Sequence, residues 1–241
     1  MINSIILLHR GDLSDQIIRQ ITSVNPLAQV VIKSSISGLI EIPHTILKNS
    51  RLISFLSGVI VPLSILRKIG FGAYNFHPAP PSRPGFESNG LAIYEGSKMF
   101  GTTLHQMNEL IDTGPINSIQ VFNIPNGIDC FKFHNLVIDY LQKHFSSKLK
   151  DLLTEDELIE MPIPWGNKKF TKEEYRAYLT LDRSITKDEF DLRVRSFGFD
   201  LNKFKIIDGE DVYIIESANS NQVKDATKTI YLYGYKFIKL I

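Results

Sequence analysis

Residues 52–77 read LISFLSGVIVPLSILRKIGFGAYNFH, and this stretch decides the fold class. It begins with a continuous apolar run, which is typical of a strand covered on both faces. Pro62 then stands near the first turn of a predicted helix, and Gly70 stands past its end. The segment FGAYNFH predicts a second strand. A strand, a helix and a strand in this order indicate a parallel sheet.

The same alternation occurs on both sides of this stretch. Upstream, SIILL and AQVVIKS predict strands, and a segment with helical spacing separates them. Downstream, SNGLAIYEGS predicts a helix, FGTTLHQMNEL and INSIQVFNI predict strands, and a long amphipathic helix follows. We therefore predict an α/β fold, with a Rossmann-like, mostly parallel sheet and helices on both of its faces.

The composition changes near residues 161–174, MPIPWGNKKFTKEE, where prolines, a glycine and lysines cluster. We place a domain boundary there, between a large domain of residues 1–160 and a small one of residues 161–241. In the small domain, Thr186 and Glu189 have the spacing of a capping box. Asp208 and Gly209 predict a hairpin turn. We expect this domain to be rich in β-strands.

Composition narrows the function classes. The chain has 241 residues, of which 43% are hydrophobic and 22% charged, as in ordered globular proteins. Its formal net charge of +1 gives no electrostatic footprint for nucleic acid. A single cysteine excludes an intrachain disulfide and a cysteine-rich zinc site, and favours a cytoplasmic protein. The longest uncharged run is too short to cross a bilayer, so we expect no membrane partner.

Several common chemical motifs are missing from the sequence. No G-x-G-x-x-G follows the first strand, and there is no phosphate loop or G-x-S-x-G elbow. No histidine pair at i, i+4 accompanies a glutamate, and the six histidines are scattered. We therefore expect no bound metal and no nucleophile elbow.

The most informative polar residues stand at the end of the strand FGAYNFH. Because side chains alternate along a strand, Asn75 and His77 face the same side, and Pro78 ends the strand. An amide and an imidazole together can donate to a developing oxyanion, and histidine can also transfer a proton. Asp112, in LIDTGPI, adds a carboxylate. Two interpretations stand: a catalytic trio, or a strand-ending histidine and a turn aspartate.

Four motifs occur in a specific order: Asn75-Phe76-His77, a proline-bearing loop ending at Gly85, Gly101-Thr102-Thr103-Leu104-His105, and Asp112-Thr113-Gly114. In this combination the chain resembles the formyltransferases that use N10-formyltetrahydrofolate. Many members of that family carry Ser-Leu-Leu-Pro after the histidine, whereas this chain carries Pro-Ala-Pro-Pro. That variant looks like the subgroup acting on nucleotide-linked amino sugars.

The resemblance implies an enzyme that moves a formyl group from N10-formyltetrahydrofolate, its co-substrate, to a primary amine. Asn75 and His77 would hold the formyl oxygen, and Asp112 would help to remove the proton of the amine. The residues expected around the pterin are Ser57, Gly58, Val59, Ile60, Val61, Asn108, Leu110 and Ile111. The residues expected around the acceptor are Arg10, Pro80, Pro81, Arg83, Gly85 and His105. Other interpretations compete with these. The apolar residues could be plain core, Arg83 could be an exposed arginine without a ligand, and His105 could be a structural histidine.

The acceptor suggested by the resemblance is a nucleotide-linked amino sugar, dTDP-4-amino-4,6-dideoxyglucose or a 3-amino or 4-amino relative. Its product would serve an O-antigen, as in lipopolysaccharide, or another surface glycan. Glycinamide ribonucleotide and methionyl-tRNA are alternative acceptors, although the near-neutral charge disfavours RNA. A folate- or nucleotide-binding sensor without catalysis is the alternative of another class. The apolar strands of the tail predict a homodimer contact.

Overall fold

A computed structural model describes residues 1–86, 88–216 and 224–240. None of the helices within these ranges combines the length and the apolarity that crossing a membrane requires. The strands are β1 Ser4–His9, β2 Gln29–Lys33, β3 Ser50–Phe55, β4 Ala73–His77, β5 Met99–Gln106, β6 Ile116–Asn123, β7 Thr180–Leu181, β8 Lys205–Asp208, β9 Asp211–Ile215, β10 Lys224–Leu232 and β11 Tyr235–Leu240. The α-helices are α1 Ser14–Val24, α2 Ile36–Ile40, α3 His44–Lys48, α4 Leu63–Leu66, α5 Ser88–Tyr94, α6 Cys130–Thr154, α7 Lys172–Leu179 and α8 Lys187–Phe197, and a 3₁₀-helix spans Leu201–Lys203.

The chain forms two compact units. The first comprises Met1–Gly85, Met99–Asn123 and Leu136–Lys169, and the second comprises Phe86–Lys98, Ile124–Asn135 and Phe170–Ile241. The domain boundary that the sequence predicts between residues 160 and 161 stays a prediction.

The first unit contains a six-stranded sheet in the order β2-β1-β3-β4-β5-β6. The pairs β1–β2, β1–β3 and β3–β4 are parallel, and β5 runs antiparallel to both of its neighbours. This confirms the predicted mostly parallel sheet. Its strand order reverses at β1, and such switch points are where ligands bind in open α/β sheets.

Helices cover both faces of this sheet, as predicted. Ile5 and Leu7 of β1 belong to a buried cluster that includes side chains of α1 and α6. Ile6 and Leu8 belong to a second cluster, with side chains of α2, α3 and α4. Each fully buried aliphatic side chain contributes roughly 1.5–3 kcal/mol through the area it removes from water. The continuous apolar runs of β1 and β3 therefore follow from burial on two sides.

Arg51 is a fully buried cation on β3. Its guanidinium donates to the backbone oxygens of Leu152, Glu155 at 2.8 Å and Asp156 at 2.7 Å, around the end of α6. Burial lowers the pKa of Arg51 from its ordinary value, but a guanidinium stays protonated in proteins. The side chain thus satisfies carbonyls that a helix end leaves without partners and complements the helix dipole.

The second unit contains a five-stranded sheet in the order β10-β11-β9-β8-β7, which confirms the predicted small β-rich C-terminal part. Strands β8 and β9 form the predicted hairpin, with Asp208 opposite Asp211. Thr186 caps α8 by accepting from the backbone N–H of Glu189. The apolar core of this unit includes Phe190, Phe204 and further aromatic side chains.

Candidate active site

The candidate site is built at the end of β4, which stops at His77 as the sequence predicts. Strand β4 lies between β3, which is parallel to it, and β5, which is antiparallel. In the antiparallel pairing Asn75 lies opposite His105, and His77 lies opposite Thr103. The pairing therefore places a second histidine beside the Asn-x-His motif.

Asp112 reaches this strand end from the loop between β5 and β6. Its Oδ1 lies 3.5 Å from Nδ1 of His77 and 3.6 Å from Nε2 of His105. Its Oδ2 accepts from the backbone N–H of Gly85 at 2.9 Å. All three side chains are buried, and Asp112 is only 5% exposed. The structure thus brings the predicted trio Asn75, His77 and Asp112 together, and it adds His105 as a fourth member.

The Asp-x-Gly motif has a steric cause. Asp112 has φ = 49°, in the left-handed region that aspartate tolerates better than most residues. A Cβ at residue 114 would lie 1.8 Å from the backbone oxygen of Gln106, so only glycine fits there. The chain therefore turns tightly at this point, and the turn directs the carboxylate toward the two imidazoles.

His105 is neutral, and its partners define its tautomer. Burial lowers its pKa to about 4, and the nearby His77 adds to the effect. Nδ1 lies 2.9 Å from the backbone oxygen of Gln106, which can only accept, so Nδ1 carries the proton. Nε2 then accepts from the amide nitrogen of Asn75 at 3.1 Å. This bond fixes the side-chain orientation of Asn75 and leaves its second N–H for another acceptor.

His77 contacts acceptors at both ring nitrogens. Nε2 donates to the backbone oxygen of Arg83 at 3.2 Å, and Nδ1 faces Asp112. Each ring nitrogen of His77 therefore faces an oxygen. His77 therefore stands where it can exchange a proton with the carboxylate while the proline-bearing loop holds its orientation.

Trp165 is a site residue that sequence reasoning missed. Its ring centroid lies 4.9 Å from that of His105 and 5.7 Å from that of His77, in a T-shaped arrangement with each ring. The indole N–H donates to the backbone oxygen of Gly114 at 2.7 Å. The one sequence signal is a single tryptophan among the prolines of residues 161–174, a stretch whose composition otherwise predicts only a domain boundary.

The residues predicted to surround the pterin lie in two loops. Residues 57–61 follow β3, and residues 108, 110 and 111 belong to the loop that ends at Asp112. Three of the apolar side chains point to solvent: Ile60 is 55% exposed, Leu110 61% and Ile111 49%. Val61 is instead a buried core residue. The side chain of Ser57 accepts from the N–H of Val59, and that of Asn108 accepts from the N–H of Leu110.

The residues predicted for the acceptor lie in two loops and on strand β5, which carries His105. Arg10 is exposed in the loop after β1. In the proline-bearing loop, the N–H of Arg83 donates to the oxygen of Pro80 at 2.9 Å, which closes a turn, and Pro81 is buried. Gly85 has φ = 104° and donates to Asp112, so its backbone supports the carboxylate. The loop is held in place from β5, where the hydroxyl of Thr103 donates to the oxygen of Ala79.

Within the described ranges, no group of three or more His, Cys, Asp or Glu side chains is arranged to hold a metal ion. The site instead offers N–H donors, one carboxylate and a neutral imidazole. This set can stabilise an oxyanion and move a proton.

The chain is similar in sequence to known proteins over part of its length. No family model matches the sequence. The chain is 30% identical to a methionyl-tRNA formyltransferase of Pseudothermotoga lettingae over 105 residues, which are 43% of this chain and 33% of that protein. The match thus spans about a third of that relative's length.

The similarity to solved structures extends over nearly the whole chain. A sugar N-formyltransferase from a Shewanella species superimposes with a TM-score of 0.73 at 17% identity, covering 90% of this chain and 98% of that one. An N-formyltransferase from Helicobacter canadensis, in complex with folinic acid and dTDP-3-aminofucose, gives a TM-score of 0.64 at 14% identity, covering 100% and 99%. The chain therefore has the fold of the formyltransferases that its sequence motifs resemble.

Proposed function

We propose that the protein transfers the formyl group of N10-formyltetrahydrofolate to the amino group of a nucleotide-linked amino sugar. The observation that carries this proposal is the convergence of Asn75, His77 and Asp112 at one strand end of a formyltransferase fold. The carboxylate of Asp112, which two buried imidazoles share, also supports a functional site.

The reaction assigns a role to each member of the trio. The amine nitrogen attacks the formyl carbon, a C–N bond forms, and the carbonyl oxygen of the tetrahedral intermediate becomes negative. The free N–H of Asn75 donates to that oxygen, and the Nε2–H of His77 donates to it in place of the backbone oxygen of Arg83. Asp112 accepts the proton that the attacking nitrogen loses. When the intermediate collapses, the bond to N10 breaks, and N10 takes up the proton that Asp112 accepted and leaves as tetrahydrofolate.

The co-substrate proposal is supported by the two loops around the trio. A flat heteroaromatic ring needs apolar walls and a few backbone hydrogen bonds. Ile60, Leu110 and Ile111 offer such walls, since about half of each side chain or more is exposed. We therefore assign residues 57–61 and 108–112 to the pterin, with Val61 contributing only its backbone because its side chain is buried in the core.

The acceptor proposal combines the Pro-Ala-Pro-Pro variant with the structural neighbours. One of them was solved with a dTDP-amino sugar and a folate. A rigid loop loses little conformational entropy when a ligand binds, so prolines suit an acceptor wall. We assign dTDP-4-amino-4,6-dideoxyglucose as the first acceptor to test, for an O-antigen or related glycan. A cytoplasmic homodimer belongs to the same proposal.

Methionyl-tRNA is the second candidate acceptor, because the sequence match is to an enzyme that acts on it. Against it stands the formal net charge of +1. Binding of nucleic acid requires neutralisation of several phosphates by lysine and arginine side chains. We therefore rank the sugar nucleotide above the tRNA.

The test is a panel of amines incubated with N10-formyltetrahydrofolate and read by mass spectrometry. The panel contains 3-amino and 4-amino dTDP-sugars, glycinamide ribonucleotide and methionyl-tRNA. We expect a mass increase of one formyl group on an amino sugar only. Formylation of glycinamide ribonucleotide or of the tRNA instead would overturn the acceptor. Folate binding without transfer to any amine would favour a sensor.

A further inference from the structure

The segment of residues 158–169, called the strap below, contains no helix or strand, yet hydrogen bonds join it to two loops of the site. The N–H of Met161 donates to the oxygen of Ile116 at 2.6 Å. The N–H of Gly166 donates to the oxygen of Pro81 at 2.8 Å, and Lys169 donates to the oxygen of Ile111. The strap therefore joins the loop that carries Asp112 to the proline-bearing loop.

Trp165 lies in the middle of the strap, and its ring orientation is fixed. Its N–H is bonded to Gly114, two residues from Asp112. The neighbouring Gly166 approaches the proline-bearing loop so closely that a Cβ would lie 2.7 Å from the oxygen of Ser82. Backbone contacts on both sides of the indole thus hold it in T-shaped contact with the rings of His77 and His105.

We propose that Trp165 is a positioning residue of the reaction site: the strap holds the indole against both imidazoles, where it excludes water and keeps the His105 ring in place as the acceptor for the Asn75 amide. The role in catalysis rests on the proposed formyl transfer. The indole touches no reacting atom in this scheme, and it acts through the two histidines.

The site requires a side chain that excludes water, because one carboxylate faces two imidazoles. The titratable groups that face His105 are His77 on β4 and Asp112 in the loop after β5, while the strap contributes the uncharged indole. If water reached His105, its ring would take up a proton at Nε2. It could then no longer accept from Asn75, and it would compete with His77 for Oδ1 of Asp112. Excluding water keeps the roles of the two histidines distinct.

The main test compares Trp165→Ala with Trp165→Phe. The alanine variant should lower kcat by about 10–100-fold, because misplacing a reacting group by about 1 Å costs on the order of 10²-fold in rate. The KM for the folate should change less than threefold. The phenylalanine variant keeps an aromatic wall and should recover kcat to within about fivefold of wild type. Ile159→Ala is the matched control, since Ile159 lies on the same strap with its side chain 88% exposed.

A second measurement needs no substrate. Histidine NMR titration, with His105 assigned by the His105→Gln variant, should show its midpoint moving from about 4 toward 6.5 in Trp165→Ala. Gly166→Ala displaces the strap but keeps the indole, so it should shift the same midpoint in the same direction. It should also shift the emission of the single tryptophan to the red.

These measurements separate the two proposals. If wild type formylates no amine, the proposed function fails, and the NMR midpoint and the emission still decide the position of Trp165. Wild-type kcat in Trp165→Ala, or an unchanged His105 midpoint in both variants, would overturn the positioning role. Equal losses in Trp165→Phe and Trp165→Ala would also overturn it, because an aromatic wall should then have restored the rate.

Discussion

Two groups of buried side chains each contain a histidine and a residue of strand β5, and the histidines differ in their partners. His144, on α6, bonds the hydroxyl of Thr102 through Nδ1 at 2.8 Å and the hydroxyl of Ser118 through Nε2 at 2.9 Å. His105, on β5, shares a carboxylate with His77. Burial lowers the pKa of both His105 and His144 to about 4.

The comparison shows that burial and a shifted pKa do not distinguish function from structure here. Hydroxyl groups adapt to either tautomer and saturate both nitrogens of His144, which leaves this ring nothing to offer a ligand. The cluster at Asp112 has one carboxylate for two rings and an amide N–H to spare. Its chemistry follows from this incomplete pairing. The predictions below test the contrast, from the largest expected effect to the smallest.

Replacing His77 by Asn should reduce formyl transfer by about 10²–10³-fold, because it removes one donor to the developing oxyanion. The measurement is kcat for the amino sugar identified by the acceptor panel. His144→Leu in the other cluster should keep kcat within about threefold. Near wild-type transfer by His77→Asn would remove His77 from the mechanism.

Asp112→Asn should lower kcat by about 10²-fold, since proton transfer by a positioned group contributes that much or more. Asparagine tolerates the left-handed backbone and keeps an oxygen for the N–H of Gly85, so the change isolates the negative charge. Asp15→Asn, at an exposed position of α1, serves as the control. A rate that does not fall in Asp112→Asn would leave Asp112 only its turn role.

His144→Leu should lower the free energy of unfolding by about 2 kcal/mol, because it leaves the buried hydroxyls of Thr102 and Ser118 without a partner. Urea denaturation followed by circular dichroism measures the loss. His44→Leu is the matched control at an exposed position and should stay within about 0.5 kcal/mol. Adding Thr102→Val to His144→Leu should recover part of the stability. A loss in His144→Leu no larger than in the control would show that the cluster is not structural.

Stability should fall as the pH falls through the window between 6.5 and 4. An unfolded histidine takes up a proton near pH 6.5, whereas His105 and His144 stay neutral in the folded protein until about pH 4. The unfolded state therefore binds more protons in this window, and each histidine costs about 1 kcal/mol between pH 6.5 and 5.5. Urea titrations at those pH values measure the slope. His144→Leu should reduce the dependence of stability on pH. An unchanged slope in this variant would contradict the lowered pKa of His144.

Much of the fold and part of the site could be predicted from sequence. The order strand, helix, strand in residues 52–77 predicts the parallel strands, and Pro78 predicts the end of β4 at His77. The position of His105 opposite Asn75 depends on the register of an antiparallel pair, which local patterns do not encode. His144 and its two hydroxyl partners are separated by 26 and 42 residues. Trp165 lies in a segment without the apolar periodicity of a helix or strand, and its position depends on hydrogen bonds to residues distant in sequence.

Arg51 holds the chain in place just before the strap begins. Its bonds join β3 to residues 152–156 across 101 to 105 positions of the chain, so they form only after the sheet and α6 have come together. Beyond that point the strap relies on scattered single hydrogen bonds, and such segments open with less free energy than the core. Hydrogen exchange should therefore be slow at the amides next to Arg51 and faster toward Trp165. The strap is thus anchored to a buried cation just before its first residue and is held at the histidines by single hydrogen bonds.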